Sequence, residues 1–439
     1  MNQLHQKLKG DKVIWSVIII LSIISLVAVF STTRTLAYKM DKDATHYLVK
    51  QLTFLGFGWM VMYWVHKINY TKFAKLSVIL YMISIPLLVY TLFFGANLNG
   101  GSRWVRLPVI NLTFQSSDFA KLALFMYLAR LLSLRQEVIQ DFKKGFLPVL
   151  APVGMVCVLI APANLSTALM LMATCSLLFF VGRVQLKHIA LLGVAGILAM
   201  ALIFGLSKLT GWGRAATWEK RIETFIQKEE PASKKNATYA AADDDKFQVT
   251  QAKIAIANGG LTGLGPGKSL QRDTLPEAYS DFIFASIVEE YGLIGGFVLM
   301  FLYLLFLWRS ILIFRRCPYA FGAFLAVGLS ITLVFQAMLN MAVNVHLVPV
   351  TGLTLPMISM GGSSIWFTSI ALGIILSVSR YVDEMEGTKK KTKQLMEQSA
   401  TAPAIPETEE AQEKIAIEAL RQPVPTTRKT KKETLEPVL

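Results

Sequence analysis

The sequence predicts an all-α polytopic membrane protein with about ten transmembrane helices and a large extracytoplasmic loop between the seventh and the eighth. Three observations carry this. Of the 439 residues, 54% are hydrophobic and the mean hydropathy is +0.49, too apolar for a soluble globular chain. Apolar runs of about 20 residues recur, the length that crosses a hydrocarbon core of about 30 Å. Lys and Arg gather in alternate loops, as they do in the cytoplasmic loops of membrane proteins.

The N-terminal residues 1–12 are basic and precede an apolar run over 13–31. The run is long and no small-residue cleavage pattern follows, so it reads as an uncleaved first span. Further spans fall near 51–66, 76–95, 118–134, 146–161, 167–182, 188–207, 282–308, 319–343 and 356–381. A single helix over 146–182 would be about 55 Å long at about 1.5 Å per residue, far beyond one bilayer core. Pro162 and Asn164 interrupt it, which predicts two short helices around a turn.

With the N-terminus inside, the short inner loops hold Lys67, Lys72, Lys75, Arg135, Lys143, Lys144, Arg183, Lys187, Arg309, Arg315 and Arg316. The short outer loops hold fewer cations, among them Arg34, Lys39, Arg103 and Arg106. Both termini are then cytoplasmic, residues 13–381 form the membrane domain, and the loop 208–280 lies outside. Two stretches lack the apolar residues a core needs: 227–246 within that loop, and the tail 382–439, read as a disordered tether. The net charge of +15 fits basic inner loops and calls for no nucleic acid. Cys157, Cys175 and Cys317 lie in or beside apolar runs without metal-ligand spacing and read as small core residues.

Several polar elements fall on the outer side. LPEAYSDFIFASIVEEYG, 275–292, has the grammar of a helix start: Pro276 and Glu277 suit a first turn, and Ser280 or Asp281 suits a cap. A carboxylate at the mouth of a membrane helix also suits a general base. Glu289 and Glu290 lie deeper and need partners. IANGGLTGLGPGKS, 256–269, has Thr262 where a phosphate-binding loop needs glycine, which excludes a nucleotide loop. Its glycines, with Lys268 and Arg272 following, suit either an anion-holding run of N–H groups or a turn that returns the chain to the next helix. In 100–122, Arg103 and Arg106 flank Trp104, and Asp118 and Lys121 are spaced to pair on one helix face. The stretch 348–367 joins prolines and glycines to hydroxyls, among them Thr351 and Ser363. Broken backbone at membrane depth occurs where protein buries it or where it lines a cavity.

LPEAYSDFIFASIVEEYGLIG, QAKIAIANGGLTGLGPGKS and VPVTGLTLPMISMGGSSIWF, in this order, closely resemble the shape, elongation, division and sporulation (SEDS) family over about residues 13–381. The resemblance implies ten spans in the bacterial cytoplasmic (inner) membrane. It implies a peptidoglycan glycosyltransferase that polymerises lipid II, the disaccharide-pentapeptide on undecaprenyl pyrophosphate, on the extracytoplasmic face. The implied partners are a class B penicillin-binding protein transpeptidase and other divisome proteins. It places the catalytic aspartate at Asp281.

The family's Q-P-S-E and A-K-L pattern corresponds to Gln115-Ser116-Ser117-Asp118 and Ala120-Lys121-Leu122, with serine for proline and aspartate for glutamate. The family's P-D-L-G-T-A turn is Pro162-Ala163-Asn164-Leu165-Ser166-Thr167-Ala168 here, with one residue more and no acid. The tail and the 348–381 motif look more like the division branch, which acts at the septum, than the elongation branch.

In that reading Asp281 is the general base. Lys121, Arg103, Lys268 and Arg272 neutralise the pyrophosphate, and Asp118, Glu277, Thr351 and Ser363 complete the substrate contacts. No cofactor is required by the sequence, although a divalent cation could assist. A lipid flippase, favoured by Glu289 and Glu290, and a noncatalytic divisome scaffold, favoured by the tails, are the competing readings.

Overall fold

The computed structural model describes residues 9–34, 44–98, 101–106, 113–210, 219, 221, 225, 244–275 and 278–401. Most of 227–246, the tail beyond 401, Glu277 and the side chain of Arg103 lie outside the described residues. The helices run in the order α1 (Lys12–Thr32), α2 (Ala44–Lys67), α3 (Lys72–Phe94), α4 (Ser116–Leu134), α5 (Leu147–Ile160), α6 (Leu165–Val181), α7 (Leu186–Thr210), α8 (Asp244–Gly259), α9 (Ile283–Arg316), α10 (Ala320–Asn344) and α11 (Ser363–Thr401). Each apolar run read from the sequence lies largely on one of them. Among the described residues, α1, α3, Phe142–Ile160, α9, α10 and Ser363–Lys389 are long and apolar enough to cross a membrane. The chain is an integral membrane protein. The break near Pro162 is confirmed: α5 and α6 are separate, and the Asn164 side chain caps α6 by accepting from Thr167 N–H.

Two expectations need correction. The fold is not wholly helical, because β1 (Ala96–Leu98), β2 (Gly101–Arg106) and β3 (Thr113–Gln115) form an antiparallel sheet in the order β1-β2-β3. Asn99-Gly100 separates β1 from β2, and Asn-Gly is a strong short hairpin signal. The tail is also not irregular from 382: helix continues to Thr401, over a segment rich in Glu, Lys, Gln and Met, all good helix formers. By internal contacts the chain divides into units 1–385 and 386–439, and the second is helical as far as it is described.

Side-chain bonds identify the two ends of the bundle. At one end Asp11 caps α1 by accepting from Val13 N–H and Ile14 N–H, and it accepts Arg309 Nε at 2.8 Å near the C-terminus of α9. Its own N–H donates to Ser379 Oγ on α11. Of the inner-loop cations of the sequence pattern, Arg309 belongs to this end through Asp11, and Lys67, whose carbonyl accepts from Arg380 beside Ser379, does too. At the other end lie the start of α4, the start of α9, the end of α10 and the loop 345–362.

α9 is broken at Gly292, whose φ is 69°. The 259–265 loop pairs with the break through Leu264 N–H to Glu289 O, Gly265 N–H to Glu290 O, Leu293 N–H to Gly260 O and Ile294 N–H to Leu261 O. This satisfies backbone that a membrane helix cannot leave open. A Cβ on Gly263 would meet Glu290 O at 2.2 Å, and one on Gly292 would meet Leu261 O at 2.2 Å, so close approach requires glycine at both positions.

Candidate functional site

The loop 345–362 crosses the bundle interior without regular structure, and its carbonyls are taken by side chains. Gln336 Nε2 donates to Thr354 O (2.8 Å) and Asn340 Nδ2 to Leu353 O (2.7 Å). Tyr303 OH donates to Pro356 O and Ser25 Oγ to Ile358 O. Donors from α1, α9 and α10 therefore replace the missing ladder, as burial of polar backbone demands. Leu355, Met357 and Ile358 pack as core between them.

This loop seats Asp281. Met360 N–H donates to Tyr279 O (2.9 Å), and Ser359 Oγ donates to Ser280 O (2.6 Å). Asn340 Nδ2 and Asn344 Nδ2 both donate to Asp281 O, at 2.8 and 3.0 Å. The Asp281 carboxylate accepts from Ser280 Oγ at 3.0 Å and is half-buried. The expected capping role of Ser280 or Asp281 is corrected. Phe282 holds the N-cap position of α9, and Asn344 Oδ1 accepts from Ala285 N–H at 3.0 Å. The cap comes from another helix, and the first turn of α9 does not need the carboxylate of Asp281 to satisfy that donor.

Asp118 and Lys121 form the expected pair at 2.8 Å, with about a tenth of each side chain exposed. Asp118 sits in the first turn of α4, where the helix dipole favours an anion. Lys121 Nζ also donates to Gln336 Oε1 at 3.1 Å. Both residues line a cavity of about 400 Å³ counted with its open mouth, together with Phe125, Gln336, Ser364 and Phe367. Asp281 does not line this cavity. Its carbonyl is tied to Leu353 O through Asn340, one turn along α10 from Gln336 in the cavity wall.

The other predicted residues fall in different settings. Ser363 is buried, and its Oγ accepts from Gln115 N–H at 3.2 Å, fixing the start of α11 to the start of α4. Thr351 keeps a buried Oγ1 without a partner among the described residues. Lys268 is exposed. Arg272 donates to Gly267 O at 2.8 Å and lies 3.4 Å from Asp273. Arg103 is placed in β2 by its backbone.

The N–H groups of Gly263, Leu264 and Gly265 go to main-chain carbonyls, as in a turn that returns the chain to α9, and a buried carboxylate is held just beyond the glycines. The fully buried Glu289 carboxylate accepts from Leu270 N–H and Gln271 N–H (3.2 Å each), from Asn258 Nδ2 (3.2 Å) and from Ser269 Oγ. Glu290, also buried, accepts from Ser31 Oγ on α1. Among the described residues no group of three or more His, Cys, Asp or Glu is gathered to hold a metal ion.

Reading the sequence missed Gln336, Asn340 and Asn344. A signal was present: three amides at i, i+4 and i+8 share one face of an otherwise apolar helix, and an amide in such a span needs a partner.

The family model described as cell cycle protein, covering FtsW, RodA and SpoVE, matches residues 11–384. Stage V sporulation protein E of Bacillus subtilis is 34% identical over 383 residues, covering 86% of this chain and 98% of that protein. A probable peptidoglycan glycosyltransferase FtsW of Geobacter sp. is 32% identical over 374 residues, covering 84% and 96%. Among solved structures, a chain from a peptidoglycan synthase complex in which polymerization and crosslinking are coordinated has a TM-score of 0.64 at 25% identity, covering 85% of this chain and 98% of its own. The rod shape determining protein RodA of Thermus thermophilus has a TM-score of 0.60 at 24% identity, covering 84% and 97%, which shows a shared fold. With the family model spanning nearly the whole bundle and relatives above 30% identity along most of their length, this chain belongs to the cell cycle protein family of FtsW, RodA and SpoVE, the SEDS family that its motifs resemble.

Proposed function

We propose that the chain is an inverting peptidoglycan glycosyltransferase that polymerises lipid II at the outer face of the cytoplasmic membrane, at the division septum. The observation that carries the reading is one end of the bundle. There the Asp281 carboxylate is presented by a turn whose carbonyls are held from α10 and the 345–362 loop, and the same helix, through Gln336, holds Lys121 in the wall of a cavity that Asp118 also lines. Relatives named FtsW peptidoglycan glycosyltransferase support the reaction class and the division role. The ten spans, the external position of 208–280 and the cytoplasmic termini are part of the proposal.

In the reaction, the 4-hydroxyl oxygen of one lipid-linked GlcNAc attacks the anomeric carbon of a second lipid-linked sugar. A new C–O bond forms with inversion as the bond to pyrophosphate breaks. The hydroxyl proton passes to Asp281. The departing pyrophosphate carries its charge away, and Lys121 in the cavity wall is placed to offset it, with Arg103, Lys268 and Arg272 as outer cations. A class B penicillin-binding protein would crosslink the emerging strand.

A transporter fits less well. Glu289 and Glu290, which would serve a polar path through the bundle, are engaged in holding the 264–272 loop and α1. The test is turnover with defined components: purified chain, its class B partner and lipid II in detergent. Glycan strands with release of undecaprenyl pyrophosphate are expected. Lipid II that crosses the bilayer of proteoliposomes without ever being polymerised would contradict the reading.

A further inference from the structure

Asp281 lies in a turn outside any regular hydrogen-bond ladder, so something else must fix where its carboxylate points. A primary amide has two hydrogens to give. Asn340 gives both to backbone carbonyls: one to Asp281 O at 2.8 Å, the other to Leu353 O at 2.7 Å. It is buried, with 1% exposure. Asn344 adds a second bond to Asp281 O, and its Nδ2 also donates to Asn340 O at 2.9 Å. Four residues earlier on the same face, Gln336 joins Thr354 O to Lys121 Nζ. Successive rungs stand about 6 Å apart along the axis of α10. One face of one helix therefore sets the spacing between the acid turn, the irregular loop and the Lys121–Asp118 pair.

We infer that Asn340 is a positioning residue, which aims the Asp281 carboxylate by clamping the Asp281 carbonyl to the Leu353 carbonyl. This rests on reading Asp281 as the base. Asn340 touches no substrate. Its effect is on the geometry of proton transfer, where a misplacement of about 1 Å can cost about 100-fold in rate. A purely structural role, satisfying two buried carbonyls, would lower folded yield and leave the turnover of folded molecules unchanged.

The experiment compares Asn340→Asp and Asn340→Leu with the wild type and with Asp281→Asn. Each is purified with its transpeptidase partner and assayed on lipid II, with the folded fraction measured by size exclusion and thermal melting. Aspartate keeps the shape of asparagine but cannot donate while ionised, and leucine removes the donor with an apolar side chain of similar size. The expected result is a fall in kcat of about 10- to 100-fold in the folded fraction of each Asn340 variant, with KM within about threefold. The deficit of Asn340→Asp relative to wild type at the same pH should shrink as pH falls and the new carboxyl regains a donor hydrogen. Wild-type kcat in either folded variant would overturn the inference, as would a loss confined to KM or a failure of both variants to fold. If Asp281→Asn polymerises at the wild-type rate, the base reading itself fails. If Asp281→Asn is inactive while the Asn340 variants run normally, only the positioning role fails.

Discussion

Asp281→Asn should lower lipid II polymerisation by about 100- to 10,000-fold, the usual contribution of a general base. The substitution leaves the main-chain carbonyl that Asn340 and Asn344 hold, and Asn344 supplies the cap at Ala285 N–H. Folded yield and melting temperature should therefore change little while kcat collapses. Asp281→Glu is the finer probe. It keeps a carboxylate and moves it by roughly one bond length, so a loss of about 100-fold is expected. Equal activity of Asp281→Glu and wild type would mean that the carboxylate's position is unimportant. Equal activity of Asp281→Asn and wild type, in single-turnover assays on folded protein, would mean that its charge is unimportant too.

Lys121→Met should have the second large effect, and on two quantities. It leaves Asp118 buried without its partner at 2.8 Å. Stranding one member of a buried ion pair costs about 3 to 5 kcal/mol, which thermal melting of the detergent-solubilised protein would register. It also removes the cation from the cavity wall, so polymerisation should fall as well. The double variant Asp118→Asn with Lys121→Met separates the two effects. Removing both charges should restore much of the stability, because no buried charge is left unpaired, while activity stays low. Recovery of activity along with stability would reduce Lys121 to a partner of Asp118.

The helices were legible because hydropathy and length decide them. The α5–α6 break was legible because Pro162 and Asn164 mark it. The β1–β2 hairpin was missed in a chain dominated by apolar helices, although Asn99-Gly100 announced it. The 256–269 glycines allowed two readings because sequence shows freedom of the backbone and not what approaches it. The decisive facts, the pairing of Leu264 N–H and Gly265 N–H with the carbonyls of Glu289 and Glu290 and the 2.2 Å approach at Gly263, arise from chain segments that meet only in the fold. The capping of α9 is similar: its donor at Ala285 is satisfied from 59 residues away by Asn344, so local grammar wrongly assigned that duty to Ser280 or Asp281. Asp118 and Lys121 were found because their spacing is local. Gln336 and Asn340 were overlooked because their partners, Lys121 and the 353–354 carbonyls, belong to other elements.

Chemistry on lipid-linked sugars at the outer surface requires the end of the bundle that holds Asp281 to face away from the cytoplasm. Single cysteines test this in a background where Cys157, Cys175 and Cys317 are replaced. Thr274→Cys reports on the end near Asp281, where Thr274 is exposed, and Lys67→Cys reports on the opposite end, where Lys67 is exposed. A membrane-impermeant maleimide applied to intact cells should modify Cys at 274 at once and Cys at 67 only after the membrane is permeabilised. The reverse pattern would put Asp281 in the cytosol and contradict synthesis of glycan strands at the outer face.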